Sequence, residues 1–228
     1  GLGDVYKRQV AQLLQHQGVD YLAVAFADEG VLLRERGITM PVVVLNADAD
    51  SFDAMAANRL EPEIYSLRSL HEFAAAVERY GEQRYPIHVK LDTGMHRLGF
   101  VEEELPALLD ALARCGRTVR VASVFAHFCT SDDPAQDDFT RLQIARFDRM
   151  SSRIAEALPY PVLRHTANSA AIERFPEAQY DMCRLGLGLY GFGWEHNAGL
   201  RPVSALKTRI VQIKRCLLYT SPSPRDCS

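Results

Sequence analysis

The sequence predicts an α/β protein: a (β/α)8 TIM-type barrel that lacks its first strand and is followed by the start of a β-rich C-terminal domain. Short apolar runs alternate with longer amphipathic runs six or seven times, which is typical of parallel β/α units. No Gly-rich dinucleotide fingerprint is present, which favours a barrel over a doubly wound sheet. Past Gly193 this pattern stops, and residues 203–215 alternate like a strand of a different domain.

The apolar runs predict the strands, and the amphipathic runs predict the helices between them. In the fourth strand, Ile87, Val89 and Leu91 are spaced by two, as in a strand with one buried face. Gly37 and Gly81 each end a helix. The predicted strands are Tyr21–Ala25, Val42–Leu45, Glu63–Ser66, His88–Asp92, Val119–Ala126, Val162–His165 and Met182–Leu185. The predicted helices are Glu29–Arg36, Ser51–Arg59, Leu70–Tyr80, Val101–Cys115, Asp137–Ala157 and Ser169–Arg174.

The chain divides into a barrel domain over residues 1–195, the start of a second domain over 196–215, and a tail over 216–228. The tail (CLLYTSPSPRDCS) follows the alternating run abruptly and is rich in Pro and Ser. This tail and residues 4–9 (DVYKRQ) resemble translated sequencing-adapter sequence. We therefore predict that both are non-native, with a natural disordered tail as the alternative for the C-terminal one.

The composition is that of an ordinary globular protein. With 228 residues, 47% hydrophobic and 24% charged, the chain has ample material for a core. A formal net charge of −3 offers no electrostatic footprint for nucleic acid or an anionic membrane. No apolar run approaches the roughly 20 residues that span a bilayer, and no signal peptide is visible. The five cysteines lack metal-ligand spacing, which predicts reduced thiols in a cytoplasmic protein and no metal site.

Charged residues gather where the fourth predicted strand ends. Lys90 is followed closely by Asp92, and Arg97 lies in the loop beyond them. Because burying either charge unpaired is costly, packing gives no reason for this arrangement. An α/β enzyme places charged groups at the carboxyl ends of its strands, whereas an edge strand with solvated charges is the alternative.

Three later segments also end strands with polar groups. His127 follows an apolar strand, Asn168 and Ser169 open a helix, and Arg184 precedes several glycines. Each has an ordinary explanation: a structural histidine, a helix cap, and an arginine paired with Asp181. Together they favour an active site, since the strand ends of a barrel meet at one face. A hydroxyl at a helix N-terminus and glycines that expose backbone N–H groups suit a phosphate.

The phosphate seat lacks a nucleotide motif, so it fits a small phosphorylated ligand or pyridoxal phosphate. Pyridoxal phosphate requires a lysine for its Schiff base. Lys7 lies in the adapter-like stretch, and Lys207 and Lys214 lie outside the barrel. The residues alone therefore nominate Lys90.

Six blocks of the sequence resemble alanine racemase and keep the order in which that family carries them. They are LAVAFADEGVLLRERGITMPVVVL (22–45), VKLDTGMHRLGF (89–100), AHFCTSD (126–132), HTANSAA (165–171), RLGLGLYG (184–191) and PVSALKTRIVQIK (202–214). The resemblance implies a fold-type III, pyridoxal-phosphate-dependent enzyme. It would interconvert L- and D-alanine for cell-wall peptidoglycan by two-base proton transfer, as a homodimer.

The resemblance implies a role for each polar candidate. Lys90 matches the family's carbamylated lysine, whose new carboxylate orients Arg97 beside the cofactor's phenolic oxygen and the substrate carboxylate. Arg184 matches the arginine that faces the pyridine nitrogen. A guanidinium stays protonated, so it leaves that nitrogen unprotonated, which suits racemisation and discourages transamination or decarboxylation. His165 would support Arg184, and His127 would link toward the second base.

The remaining matches concern the phosphate and the two acid/base groups. Ser169, with the backbone near Gly186 and Leu187, would hold the phosphate, and Leu45 would line the cofactor. Gly1-Leu2-Gly3 looks like the end of the block V-K-A-N-A-Y-G-x-G, which places the Schiff-base lysine a few residues before Gly1 and corrects the nomination of Lys90. The second base, a tyrosine of the partner subunit's β-domain, would lie beyond residue 215. We therefore expect this chain by itself to be inactive.

Three competing interpretations remain. A racemase of broader or serine specificity has the same fold, and the residues that gate substrate size come largely from the second domain. A non-catalytic pyridoxal-phosphate-binding barrel is disfavoured by the Lys90/Arg97 pair and by the strand pattern at 203–215. A decarboxylase-like barrel is disfavoured by Arg184, because such enzymes usually oppose the ring nitrogen with a carboxylate.

Overall fold

A computed structural model describes residues 2–194, 199–203, 207, 209–210 and 212–213. In these ranges six parallel strands form one sheet in chain order, which is half of a barrel with helices between its strands. The strands are β1 Leu22–Val24, β2 Val42–Val44, β3 Glu61–Ile64, β4 Tyr85–Lys90, β5 Val119–Phe125 and β6 Leu163–His165. The helices are α1 Leu2–His16, α2 Ala27–Glu35, α3 Phe52–Ala57, α4 Leu67–Arg79, α5 Leu105–Arg114, α6 Asp137–Ala157 and α7 Ser169–Arg174. Short 3-10 helices cover Ala49–Ser51, Glu102–Glu104, Pro134–Gln136, Pro176–Ala178 and Leu187–Tyr190.

Helix α4 shows how the sequence builds the outer layer of the half-barrel. It begins after Ser66, whose hydroxyl accepts a hydrogen bond of 3.1 Å from the backbone N–H of Ser69. Such a cap satisfies one of the N–H groups that a helix start leaves without a partner. Leu70, Phe73 and Val77 follow at helical spacing and are fully buried against the sheet. The helix is therefore fixed by a polar start and one apolar face.

The strand register brings the ends of β4, β5 and β6 to one place. Lys90 of β4 is paired with Phe125 of β5, and Phe125 is paired in turn with His165 of β6. Each of these residues is the last of its strand. Side chains just beyond these three strands therefore start from the same edge of the sheet, as expected for parallel strands.

The predicted parallel α/β barrel fold is confirmed, and the helices at Asp137–Ala157 and Ser169–Arg174 have the predicted bounds. The strand predicted at Met182–Leu185 is wrong. This segment is irregular, although the backbone N–H of Arg184 donates to the carbonyl of Ala167 at 2.9 Å. A short apolar run is compatible with a buried loop as well as with a strand.

The predicted start of a second domain at 196–215 stays a prediction, because the structure describes only part of this segment. The described residues of the run at 203–215 are in no strand, and its other residues lie outside the described ranges. The predicted tail at 216–228 also lies outside them, and residues 4–9 lie within α1. The non-native origin of both stretches stays a prediction. No helix within the described ranges is long and apolar enough to cross a membrane.

Candidate functional site

Lys90, at the end of β4, carries a buried ammonium group opposite a buried carboxylate. Its Nζ lies 3.6 Å from Oε1 of Glu63, and the two side chains are 7% and 3% exposed. Nζ also lies 4.4 Å from the centre of the Phe125 ring. Burial lowers the pKa of Lys90 to about 8; Glu63 opposes this shift, and Arg184 and Arg97 add to it. Burial likewise raises the pKa of Glu63, so both partners are driven toward their neutral forms.

Asp92 stabilises the loop after Lys90, which explains why an aspartate lies two residues beyond the lysine. Its carboxylate accepts hydrogen bonds from the backbone N–H groups of Gly94 at 2.9 Å and His96 at 3.0 Å. The loop closes at Gly99, which has φ +128°, and a Cβ there would lie 2.6 Å from the backbone nitrogen of Asp92. Only glycine fits at that point. Arg97 lies on this loop and is exposed.

Arg184 joins the ends of β5 and β6 through both of its terminal nitrogens. Nη1 donates to Nδ1 of His165 at 2.7 Å and to the His165 carbonyl at 3.3 Å. Nη2 donates to the carbonyls of Ala126 at 2.7 Å and Thr166 at 3.0 Å, and it lies 3.2 Å from Nδ1 of His127. Burial lowers the pKa of Arg184 to about 10, so the guanidinium stays charged at neutral pH. Among the described residues, none accepts a hydrogen bond from its Nε–H, which leaves one donor for a ligand.

Both histidines beside Arg184 are neutral at neutral pH. Burial, followed by the charges of Arg184, Lys90 and Arg97, lowers the pKa of His127 to about 4. Burial and Arg184 hold the pKa of His165 well below its ordinary value. A neutral imidazole accepts a hydrogen bond at one nitrogen and donates at the other. Since the Nδ1 atom of each ring accepts a hydrogen bond from Arg184, each ring carries its proton on Nε2.

Ser169, the first residue of α7, faces the glycine segment after Arg184. Its hydroxyl accepts hydrogen bonds from the backbone N–H groups of Gly186 at 3.0 Å and Gly188 at 3.1 Å. A Cβ at Gly188 would lie 3.6 Å from this hydroxyl, and one at Gly186 would lie 3.9 Å away. Side chains at these two positions would fill the space over Ser169. In this small cradle both N–H groups are bonded to Ser169, so the hydroxyl hydrogen is its free donor, and the N–H groups become available to an anion when it displaces the hydroxyl.

A cavity of about 1000 Å³ is lined by residues of α1, α2, β1 and β2, by the last residues of β5 and β6, and by the segment around Arg184. Of the predicted site residues, Leu45, His165, Arg184 and Gly186 line it. Lys90, His127 and Ser169 do not line the cavity but adjoin it through the contacts described above, whereas Arg97 is exposed on its loop and does not line it. Leu187 is 70% exposed, so its side chain contributes little to the site. Within the described ranges no cluster of His, Cys, Asp and Glu is arranged to hold a metal ion.

Four buried polar residues near these groups are not among the residues predicted from sequence: Glu61 and Glu63 of β3, His88 of β4 and Ser123 of β5. For Glu61, Glu63 and His88 the sequence did contain a signal, which is their spacing. Glu61 and Glu63 are spaced by two, as are His88 and Lys90, so each pair points to one face of its strand. Ser123 gave no signal, because a serine inside an apolar run is common.

The model of the family described as "Alanine racemase, N-terminal domain" matches residues 5–193, which is most of the chain. The chain belongs to this family. Its curated relatives include alanine racemases of Carboxydothermus hydrogenoformans, 35% identical over 214 residues, and Geobacillus stearothermophilus, 36% identical over 225 residues. These alignments cover 91% and 94% of this chain, and 57% and 55% of the two relatives.

Solved structures of alanine racemases share the fold. The alanine racemase of Clostridium difficile 630 superposes with a TM-score of 0.78 and 32% identity, covering 86% of this chain and 52% of that one. The alanine racemase of Bacillus anthracis superposes with a TM-score of 0.74 and 30% identity, covering 85% of this chain and 51% of that one. The chain thus spans about half the length of the alanine racemases that it matches.

Proposed function

We propose that this chain is the cofactor-binding barrel of an alanine racemase and that the barrel binds pyridoxal phosphate. The observation that carries the proposal is Arg184, whose two terminal nitrogens are bonded within the protein while its Nε–H is left to a ligand. An arginine held in this way offers a permanent donor to a ring nitrogen. Its neighbours His127 and His165 are neutral, so no second cation competes at that position.

The donors fit this cofactor at both of its ends. The phosphate would lie on the Ser169 hydroxyl and the backbone N–H groups of Gly186 and Leu187, and the ring nitrogen would accept from Arg184. Leu45, which lines the cavity, would pack on the ring. When bound, pyridoxal phosphate supplies an electron sink for negative charge at the substrate's α-carbon. Because Arg184 stays protonated, it limits how strong that sink becomes, which favours returning the proton over other reactions.

Arg97 and Lys90 would organise the substrate side. We propose that Lys90 is carbamylated: its neutral amine forms a bond to the carbon of CO2 and loses one proton. The lowered pKa of Lys90 supports this step, because only the neutral amine is nucleophilic. The new carboxylate would orient the Arg97 guanidinium toward the cofactor's phenolic oxygen and the carboxylate of alanine.

His127 would connect the site to the second acid/base group. Its Nδ1 faces Arg184, so its Nε2–H is the donor left to hold the oxygen of a tyrosine from the partner subunit. The relatives are about twice as long as this chain. For a protein that also contains the remaining part of their length, we propose racemisation of alanine for peptidoglycan synthesis, in the cytoplasm and as a homodimer. For the 228-residue chain alone we propose no racemase activity, because the resemblance to the family implies that both acid/base groups lie outside these residues.

Calorimetric titration of the chain with stable cofactor–substrate conjugates tests this function. The probes are pyridoxal phosphate and the phosphopyridoxyl conjugates of L-alanine, D-alanine, L-serine and L-tryptophan. We expect both alanine conjugates to bind about tenfold more tightly than pyridoxal phosphate, on the scale of one charge-assisted hydrogen bond. The Arg97→Ala variant should lose this gain and keep its affinity for pyridoxal phosphate.

The other interpretations predict different results in the same titration. A non-catalytic carrier would bind pyridoxal phosphate and the alanine conjugates equally well. The serine and tryptophan conjugates test recognition of the amino-acid carboxylate alone, because the residues that gate substrate size are expected largely in the second domain. If none of the probes binds, the proposed cofactor itself is wrong.

A further inference from the structure

A row of hydrogen bonds between buried polar side chains crosses the inside of the sheet and ends at Arg184. Oε2 of Glu61 lies 2.7 Å from Nε2 of His88, and Nδ1 of His88 lies 2.6 Å from Oγ of Ser123. Oγ of Ser123 lies 2.9 Å from Nε2 of His165, whose Nδ1 lies 2.7 Å from Nη1 of Arg184. The row takes one side chain from each of β3, β4, β5 and β6.

Water has little access to these groups. The exposed fractions are 8% for Glu61, 1% for His88, 0% for Ser123 and 4% for His165. A buried carboxylate is costly unless it is hydrogen-bonded, so core packing gives no reason for a glutamate at position 61. Each member of the row is satisfied by the next, which makes them one network.

The direction of every hydrogen bond in the row follows from its two ends. A guanidinium only donates, so Nδ1 of His165 accepts and its proton is on Nε2, which donates to Ser123. At the other end the carboxylate of Glu61 accepts, so His88 carries its proton on Nε2 and accepts at Nδ1. The Ser123 hydroxyl then accepts from His165 and donates to His88. A charged His88 would also donate to Ser123 and would leave the serine hydroxyl proton without an acceptor.

We propose that Glu61 is a positioning residue for Arg184. Through His88 and Ser123 it keeps His165 in the tautomer that accepts from Nη1, so that the Nε–H of Arg184 stays directed at the ligand. The identity of the ligand at the Nε–H of Arg184 rests on the proposed function. The donor and acceptor assigned to each hydrogen bond of the row do not.

Loss of the carboxylate would allow the whole row to reverse. Without Glu61, the Nε2–H of His88 has no acceptor, so His88 gains by moving its proton to Nδ1 and donating to Ser123. Ser123 then donates to Nε2 of His165, and His165 must carry its proton on Nδ1. That proton points at the Nη1 hydrogens of Arg184, so the hydrogen bond between the two residues is lost. The reversal keeps the number of protons in the row constant: one proton moves along each inner hydrogen bond toward His88, His88 releases its Nε2 proton to water, and His165 takes up a proton from water at Nδ1.

Two-bond proton–nitrogen spectra of ¹⁵N-labelled histidine side chains report these tautomers directly. In the unaltered chain, and in Glu61→Gln, whose amide oxygen still accepts from His88, we expect both histidines with the proton on Nε2. In Glu61→Leu we expect a large fraction of His165 with the proton on Nδ1. In Glu61→Leu/Ser123→Ala the row is cut, so His165 should return to the Nε2–H form that Arg184 imposes.

The affinity for pyridoxal phosphate gives a second readout. We expect Glu61→Leu to weaken binding by about tenfold, the scale of one hydrogen bond to a charged group, and Glu61→Gln to leave it unchanged. Ser169→Ala should weaken binding without altering the His165 tautomer. An unchanged His165 tautomer in Glu61→Leu, or equal tautomer shifts in the single and double variants, would overturn the proposal. If pyridoxal phosphate fails to bind even the unaltered chain, the proposed function fails while the tautomer experiment remains decisive.

Discussion

The two halves of the sheet, here called its apolar wall (β1 and β2) and its polar wall (β3 to β6), come from the same repeating β/α unit but differ in chemistry. The wall formed by β1, β2 and the residues after them is apolar, with Leu22, Val24, Val43 and Leu45 lining the cavity. The opposite side, from β3 to β6, buries carboxylates, histidines, a lysine and a serine in its strands. Because all six strands end at one edge, the position of a strand end does not by itself mark a site. Polar residues inside the strands are what distinguish the functional wall.

Replacing Arg184 should give the largest effect, because this residue joins β5 to β6. Arg184→Leu leaves the carbonyls of Ala126 and Thr166 and Nδ1 of His165 without their donor. We expect the free energy of unfolding to fall by about 3–5 kcal/mol, measured by urea denaturation at pH 7. The control is Arg68→Leu, which removes an exposed pair with Glu72 and should cost about 0.5 kcal/mol or less. Equal losses in the two variants would contradict the assignment of Arg184.

Acid should destabilise the polar wall through its histidines. The folded-state pKa of His127 is about 4, below the ordinary value of 6.5, and that of His165 is also lowered. Below pH 6.5 the unfolded chain binds protons that the folded chain does not, so stability is present above 6.5 and is lost as the pH falls toward 4. Each histidine contributes at most about 1.4 kcal/mol per pH unit. Urea denaturation between pH 7 and pH 5 should show the free energy of unfolding falling with pH, and the fall should be smaller in His127→Gln. An equal fall in His127→Gln would show that His127 is already protonated in the folded chain.

A substitution in the apolar wall should cost stability and leave the site intact. Val44 of β2 is fully buried, and Val44→Ala removes two methyl groups and leaves a cavity. We expect a loss of about 2 kcal/mol in the free energy of unfolding. The affinity for pyridoxal phosphate should stay within experimental error of the unaltered chain. A weakened affinity would mean that the two walls do not act separately.

The most specific change in chemistry should come from Glu63→Gln. The substitution removes a negative charge 3.6 Å from Lys90 Nζ, where a carbamate would also be negative. It also removes the interaction that opposes the lowering of the Lys90 pKa. We therefore expect a larger carbamylated fraction at pH 8, measured as a carbamate signal in ¹³C spectra with labelled bicarbonate. Lys90→Met provides the blank, and a smaller signal in Glu63→Gln than in the unaltered chain would contradict this account.

Much of the fold was predictable because periodicity and caps are local. Helices α6 and α7 have their predicted bounds. The start of α7 follows from Asn168, whose side chain caps the helix as its residue type indicates. Met182–Leu185 was wrongly predicted as a strand, because its apolar run packs beside β6 without joining the sheet. Lys90 and His127 were predicted at strand ends, and they lie at the end of β4 and just after β5. Arg184 was assigned to a strand that the structure lacks, and the roles of all three residues stay predictions.

The buried polar row was not predictable for a different reason. It depends on which residues of neighbouring strands face each other, and that register is a tertiary property. Glu63 of β3 is paired with His88 of β4, for example, although nothing in either segment alone specifies the pairing. The donors and acceptors of Glu61, His88 and Ser123 acquire a direction only after this pairing is known.

The central claim, that the polar wall and the Ser169 cradle together form a pyridoxal phosphate site, is tested most directly by comparing pyridoxal phosphate with pyridoxal. Calorimetric titration of the 228-residue chain should show one molecule of pyridoxal phosphate bound and a much weaker affinity for pyridoxal, which lacks the phosphate. Ser169→Ala should narrow the difference between the two ligands. Equal affinities for both ligands in the unaltered chain, or a Ser169→Ala variant that leaves the difference unchanged, would contradict the claim.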